Sequence, residues 1–423
     1  MGPDTTETDY LVIGGGPAGS AAASVLAQAG QDVLVLEKEH FPRFHIGESL
    51  LTYAMPVLDR LGVLEEVSAA GFVVKAGAEF CRTDAEFSRV DFTEQGGGRV
   101  AQTFQVERSA FDEILLGAAR RRGASVLEGA HVRRVLTEDG RVAGVTYSRG
   151  GTSHEVRARF VIDASGRSGV ITSGHLRSRS RPARGSAVAV YRHFGGVDER
   201  HNPGVEGDIQ VGTHDDGWVW AIPIRADVIS VGVVTTPETL RAADSRQQLF
   251  DTHLARIPRV VERLRGAEPL TEVQVEGDFT YYSDDITGPG YAVAGDAGAF
   301  TNPIFSAGVY LALVTGVRAA EAAMAEHPTA MAEYADFYKT GYDTYAKLVD
   351  IFYDADRRIG RVFRGAGAAA TPEFASRLFG GDFWSEDNPM TRYAREQPAE
   401  HTFTAYSTSL GCPVYPELAE PVS

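Results

Sequence analysis

The stretch "DYLVIGGGPAGSAAASVLAQAGQDVLVLEKE" near the start of the chain constrains the fold most. An apolar run ends at Gly14-x-Gly16-x-x-Gly19, an alanine-rich helical pattern follows, and a second apolar run ends at Glu37-Lys38. That order predicts a strand, a glycine turn, a helix and a second strand, a βαβ unit. Each glycine answers a separate need. Gly14 permits the tight turn, Gly16 lets backbone approach a pyrophosphate, and Gly19, beside Ala18, lets helix and strand pack closely. The helix N-terminus then faces phosphate charge, and Glu37, 21 residues after Gly16, is placed to accept from ribose hydroxyls.

The bulk properties narrow the partners. With 423 residues the chain is long enough for two or three lobes. A net charge of −16 argues against nucleic acid, because phosphate binding needs a basic surface. Cys81 and Cys412 make no disulfide framework and fit a reducing cytoplasm. The start, "MGPDTTETDY", lacks the basic region of a secretory signal, and no apolar run is long enough to span a membrane. No metal centre is expected.

Further along, the pattern is interleaved. Residues 1–80, 100–185 and 276–325 read as one discontinuous nucleotide-binding domain of alternating strands and helices. Residues 81–99 and 186–275 read as an inserted antiparallel β-rich substrate lobe ("SAVAVYRHF", "GWVWAIPI", "VISVGVVTT"). Residues 326–423 read as a mostly helical cap with a coil-like tail after "FGGDFWSEDNP", in which Trp384 reads as packing. The fold class is therefore α/β, with a Rossmann-like cofactor domain, an inserted sheet and a C-terminal cap.

Two strand-end turns specify the nucleotide. "YAVAGDAG", with Asp296, resembles the second flavin motif of the FAD-dependent class that includes the aromatic hydroxylases, and "VIDASGRSG", with Asp163 and Gly166, resembles its third. Each alone could be an ordinary strand-end turn. In this order, after the glycine motif, the three imply FAD. No second G-x-G-x-x-G follows a strand, so no separate nicotinamide domain is visible.

Three more stretches resemble the flavin-dependent halogenases, over about residues 9–325. They are "FPRFHIGESLL", "GWVWAIPI" and "FTNPIFSAGVYLA". The W-x-W-x-I-P signature stands as Trp218, Trp220, Ile222 and Pro223, and F-x-x-P-x-x-S-x-G as Phe300, Pro303, Ser306 and Gly308. The resemblance implies that reduced FAD, delivered by a separate flavin reductase, and O2 convert chloride or bromide to hypohalous acid. It assigns Lys75 to carry the electrophile, although an isolated lysine is by default a solvated surface charge. It places Arg43, Ile46, Gly47, Glu48, Ser49, Arg108, Pro303, Gly308 and Val309 around the cofactor. Ser306, Ala307 and Gly308 are expected to bind halide at a helix start, where free N–H groups favour an anion. A small-residue turn packing closely on the flavin is the alternative there. The tryptophan strand would be a core strand on its own; as a signature it becomes a wall separating flavin from substrate.

The compact chain resembles the branch acting on phenols or pyrroles, in natural-product biosynthesis, with substrates often tethered to a carrier protein. Arg357, Arg358, Arg361 and Arg364 form a basic stripe that would suit an acidic carrier or a solvated helix face. A second basic run, "RSRSRPAR" (177–184), reads as a surface loop. Where many relatives have Asp-Pro, in some with the Asp tied covalently to FAD, this chain has Asn302-Pro303. FAD is therefore expected to be non-covalent. The competing readings are an FAD-dependent aromatic monooxygenase, an isoprenoid-type reductase, or a flavin-binding protein without chemistry.

Overall fold

The computed structural model describes all residues except 1–4, 84–85, 97, 183–186, 278–279, 355–358, 399–402, 405, 410 and 416–423. The βαβ unit forms as its pattern requires. Strand Thr5–Ile13 lies parallel between Val33–Leu36 and Thr152–Asp163, and helix Pro17–Gln28 makes the crossover. Ser125–Leu127 and Tyr291–Val293 extend this sheet in parallel at its two sides. Its strands are apolar on both faces because both are covered. Tyr10, Val12, Val33 and Val35 pack toward the helices, while Leu11, Ile13, Leu34 and Leu36 meet Val135, Val145 and Tyr147 of an antiparallel meander. Helix Gly308–Met324 crosses Pro17–Gln28 closely: a Cβ on Gly316 would stand 2.2 Å from the Ala18 carbonyl oxygen.

A second sheet orders, from edge to edge, Glu268–Pro269, Val188–Gly195, Val228–Thr235, Gly217–Arg225, Ile209–His214, Gly77–Thr83 and Glu86–Asp91. Neighbours run antiparallel except at Ile209–His214 with Gly77–Thr83, which are parallel. The two-residue period divides its side chains cleanly. Trp218, Trp220, Ile222 and Tyr191 face the main core against the cofactor domain, whereas Val219, Ala221, Val231 and Val233 face helices Arg246–Leu254 and Pro258–Arg263.

Helices Ala330–Asp354, Ile359–Ala366, Pro372–Gly380 and Pro389–Glu396 form the C-terminal part. The last corrects the coil-like tail: Pro389 sits at the first helical position and the Asn388 side chain accepts from the Met390 and Thr391 N–H groups, a local cap that starts a helix. Trp384 is packing, as read, with its ring stacked on Phe337 at 4.7 Å and its Nε1 donating to the Phe337 carbonyl. Of the arginine stripe, Arg357 and Arg358 lie outside the described residues, as does the side chain of Arg361; Arg364 is exposed.

Candidate active site

The glycine turn is as tight as its spacing implies. Gly14 has φ +100°, and a Cβ there would lie 2.5 Å from the Ala164 carbonyl oxygen. A Cβ on Gly19 would meet the Gly14 carbonyl oxygen at 1.9 Å, so only glycine permits this approach of helix to turn. Glu37 is buried at the strand end, with Oε2 accepting from Gly15 N at 2.6 Å and Oε1 from Glu39 N at 2.8 Å; Lys38 beside it is exposed.

The 41–50 segment is strapped across this turn. Arg43 Nη2 stands 3.4 Å from where a Gly16 Cβ would be, and Arg43 Nη1 lies 3.1 Å from Asp112. Asp112, fully buried, also takes a two-pronged pair from Arg108, whose Nη1 donates to the Ile46 and Gly47 carbonyls. The two guanidiniums hold the Asp112 carboxyl below the usual range despite its burial. This knot anchors the strap.

The remaining flavin-motif turns meet at Arg179. Asp163 is buried and its carboxylate accepts from Ser165 N at 3.1 Å and Ile171 N at 2.6 Å, so it shapes its own turn. Arg179 donates to the Arg167 and Ala297 carbonyls at 2.6 and 3.1 Å, with Gly166 O and Asp296 O both at 3.4 Å, and lies over the Tyr281 ring. Residues 183 and 184 of the 177–184 run lie outside the described residues; the rest is not merely a surface loop, since Arg179 ties two motifs together and reaches Ala297, 118 residues further along the chain.

A flavin dinucleotide fits what these residues present. Asp296 Oδ1 is buried with no hydrogen-bond partner among the described residues, and burial pushes the carboxyl up to about 7 against the pull of Arg108, Arg167 and Arg179. Helix Gly308–Met324 begins without a side-chain cap, leaving first-turn N–H groups for an acceptor. A buried acid beside the Tyr342 hydroxyl at the head of one motif, bare amides at the next and a glycine cradle at the first suit a ligand carrying hydroxyls, phosphates and a polar ring.

In the 300–308 segment, Ser306 takes φ +60°, a left-handed conformation that costs a non-glycine residue about 1–3 kcal/mol and concentrates at functional sites. It is fixed partly by Ser306 N donating to the Pro303 carbonyl at 2.9 Å. The Ala330–Asp354 helix braces the same segment. Tyr345 Oη donates to the Asn302 carbonyl at 2.9 Å, with the Phe305 and Ala307 backbone N–H groups beside it, so the Ala307 amide has a partner within the protein. Gly308 and Val309 open the helix, and Val309 is buried.

Lys75 ends the short strand Val73–Lys75 and is 1% exposed. Its Nζ donates to Ser49 Oγ at 2.8 Å and the Leu50 carbonyl at 2.9 Å, both on the strap. Burial pulls the ammonium down to about 7, opposed by the Asp208 carboxylate. The amine and ammonium are therefore both populated near neutrality. Glu48, on the same strap, is buried; Oε1 lies 3.1 Å from His193 Nε2 and Oε2 has no partner among the described residues. No hydrogen bond joins Lys75 to the 303–308 segment among the described residues.

The tryptophan strand is linked to that segment instead. Trp218 Nε1 donates to Tyr353 Oη at 3.1 Å, and Asn302 Nδ2 donates to the same hydroxyl at 2.8 Å. Trp220 Nε1 donates to Ser230 Oγ, and its ring lies 5.9 Å from Trp218 and 6.1 Å from Tyr191. Ile222 is buried, and at Pro223 the strand pairing shifts register. His193, Asp208, Tyr345, Tyr353 and Arg179 were not singled out from sequence. They carry no motif and reach the site only through pairing of distant strands and helices.

Comparison with known proteins settles the family. The tryptophan halogenase family profile matches residues 9–93 and 83–377. The chain belongs to that family of flavin-dependent halogenases. It is 36% identical over 371 residues to a tryptophan 2-halogenase from Chondromyces crocatus, covering 84% of this chain and 69% of that one. It is 32% identical over 353 residues to a 1H-pyrrole-2-carbonyl-[peptidyl-carrier protein] brominase from Pseudoalteromonas luteoviolacea, covering 82% and 85%. Among solved structures, the flavin-dependent brominase Bmp2 superposes with a TM-score of 0.81 at 29% identity, over 93% of this chain and all of that one. The first curated relatives are longer, this chain spanning 62% to 69% of their length. The FAD-dependent α/β fold and the flavin halogenase class expected from the motifs are thus established, with FAD, halide and O2 as the family's cofactor and co-substrates. Among the described residues no helix is long and apolar enough to cross a membrane.

Proposed function

We propose that this chain halogenates an electron-rich phenol or pyrrole, with hypohalous acid relayed through Lys75. The observation that carries the reading is the buried amine itself: Lys75 is sequestered from water, held by the strap that spans the glycine turn, and poised near neutrality. Reduced FAD, when bound, supplies with O2 the oxidising equivalent that turns chloride or bromide into hypohalous acid. Gly14, Gly16, Gly19 and Glu37, the Arg43–Asp112–Arg108 strap, Asp296 and the amides that open the Gly308–Met324 helix are the groups to hold it.

As the ammonium, Lys75 donates a hydrogen bond that orients hypohalous acid toward the ring. As the amine, its nitrogen lone pair attacks the halogen. The N–X bond forms, the X–O bond breaks, and the hydroxide released takes the proton lost from nitrogen to leave water. The haloamine then passes halogen to the aromatic carbon, the N–X bonding pair stays on nitrogen, and the proton lost from the ring is taken up there, restoring the amine. Of the Ser306-Ala307-Gly308 turn expected to bind halide, Ser306 N is given to the Pro303 carbonyl, so its part is to fix the direction of the N–H groups that follow through its strained backbone. With the Tyr345 hydroxyl beside the Ala307 N–H, the amides of Gly308 and Val309 carry most of that role. Trp218 and Trp220 form a buried wall that keeps the organic substrate from the oxidant.

The similarity to a brominase named for a carrier-bound pyrrole supports a pyrrole-type, tethered substrate. A second reading, an indole substrate, is favoured by the similarity to a tryptophan 2-halogenase. In this reading a separate flavin reductase delivers the reduced flavin, as the family resemblance implies. Mass spectrometry after incubation with a flavin reductase, halide and a panel of phenols, pyrroles and indoles, free and carrier-bound, tests these. Halogenated phenol or pyrrole is expected. Halogenated tryptophan alone overturns the substrate class, and hydroxylated products overturn the reaction.

A further inference from the structure

Lys75 has a buried charged neighbour that comes from another part of the chain. Residues 207–208 are stapled onto the lysine strand at three points. Gly207, at φ +81°, abuts the Val74 carbonyl so closely that a Cβ there would lie 2.0 Å from the oxygen. Gln105 Nε2, from the strand paired to Val73–Lys75, donates to the Gly207 carbonyl at 3.0 Å. The Asp208 carboxylate faces the Ala76 N–H and accepts from Arg89 Nε at 2.7 Å through Oδ2. That ion pair nests against Gly77, where a Cβ would be 2.8 Å from Asp208 Oδ2 and 2.7 Å from Arg89 Nη2. Asp208 is 1% exposed, and its Oδ1 is buried without a hydrogen-bond partner among the described residues.

We infer that Asp208 is a positioning residue whose negative charge, fixed by Arg89 and the Ala76 N–H, governs how Lys75 is divided between ammonium and amine. This rests on the reading of Lys75 as halogen carrier, for which that division selects hydrogen-bonded hypohalous acid or haloamine. Among the described residues, the charged groups around the amine are few. Asp208 stands ahead of strand Ile209–His214, and Arg89 and Asp91 stand on strand Glu86–Asp91, where Arg89 also bridges to Asp91. The strap contributes the neutral Ser49 hydroxyl and Leu50 carbonyl, while Glu48 on the strap is paired with His193. Phe92 supplies a ring face 5.3 Å from Nζ. A carboxylate that acts on the amine through a dry interior favours its charged form. Without it, desolvation acts unopposed and the ammonium is lost at lower pH.

The chain has four lysines, Lys38, Lys75, Lys339 and Lys347, so protein grown on [ε-13C]lysine gives a spectrum small enough to assign by Lys75→Met. Titrating the full-length chain without added flavin, the Lys75 resonance is expected to change midpoint near 7 in the wild type. In Asp208→Asn it should fall by about one pH unit, a tenfold change in the ammonium-to-amine ratio. Asp208→Glu, which keeps the charge, should restore the wild-type midpoint. The pH profile of product formation should shift the same way in Asp208→Asn. An unmoved Lys75 midpoint in a folded Asp208→Asn overturns the inference, as does failure of Asp208→Glu to differ from Asp208→Asn. If the midpoint moves while the wild type makes no halogenated product with any substrate of the panel, the electrostatic link stands and the halogenase reading of Lys75 falls.

Discussion

Gly232→Ala should disturb the packing of the tryptophan pair without replacing either tryptophan. Gly232 lies directly across from Trp220 on one neighbouring strand and from Tyr191 on the other. The Trp220 indole lies over its Cα, so an added Cβ would stand 2.2 Å from both Cη2 and Cζ2 and 2.7 Å from Cε2. To regain ordinary contact the ring must move by about 1 Å, in a site where it is buried and packed on Trp218 and Tyr191, and overpacking of this kind costs about 1–3 kcal/mol. The shift also strains the Trp220–Ser230 hydrogen bond, worth about 1 kcal/mol, for a total of about 2–4 kcal/mol. Urea unfolding followed by far-UV circular dichroism reads the stability, and near-UV signal reads the tryptophan environment. Gly174→Ala is the control, because its nearest neighbour would be a backbone oxygen at 3.9 Å. If Gly232→Ala unfolds within about 0.5 kcal/mol of the wild type with an unchanged near-UV spectrum, the packing argument is wrong.

The raised Asp296 carboxyl makes the flavin-free protein pH-sensitive. Between the ordinary carboxylate range near 3.8 and about 7 it holds a proton that the unfolded chain releases. Its contribution to stability therefore falls as pH rises through that window and levels off above it. Asp296→Asn should flatten this slope in thermal melts at several pH values, and an equal slope in both proteins refutes the assignment. Because residue 302 is Asn, acid precipitation should release all flavin into the supernatant; yellow colour retained on the denatured chain would contradict non-covalent binding. Arg108→Met leaves the buried Asp112 with Arg43 alone and should cost about 3–5 kcal/mol, read by urea unfolding, with a change below about 1 kcal/mol counting against the strap anchor.

What was legible in the sequence follows from how local each requirement is. Gly14, Gly16 and Gly19 answer to a single turn, so their spacing alone implied strand, turn and helix. The Asp163 and Asp296 turns and the Gly308 helix start are equally local, and the structure forms each at the expected place. The tryptophan strand showed its period but not its partner: nothing in "VISVGVVTT" says that Gly232 faces Trp220 until the strands are paired in register. Asp208, 133 residues from Lys75, was invisible for the same reason, as were Tyr353 and Tyr345, which a helix in the cap brings to Asn302. The helix in the coil-like tail also has a local start signal, the Asn388 cap followed by Pro389 at the first helical position. Sequence named the residues that each do one thing in one turn, and pairing across the molecule supplied those that act on them.

Lys75→Met tests the central claim most directly. The variant removes the amine and keeps an unbranched side chain of similar length among Ser49, Leu50 and Phe92, so the strap and the flavin cradle should remain. With a flavin reductase, bromide and the substrate that the wild type modifies, flavin affinity and consumption of reduced flavin should stay near wild type. Halogenated product, measured by mass spectrometry, should fall at least about a hundredfold, on the scale of a lost catalytic group. Halogenation at the wild-type rate by a folded, flavin-binding Lys75→Met enzyme would contradict the account.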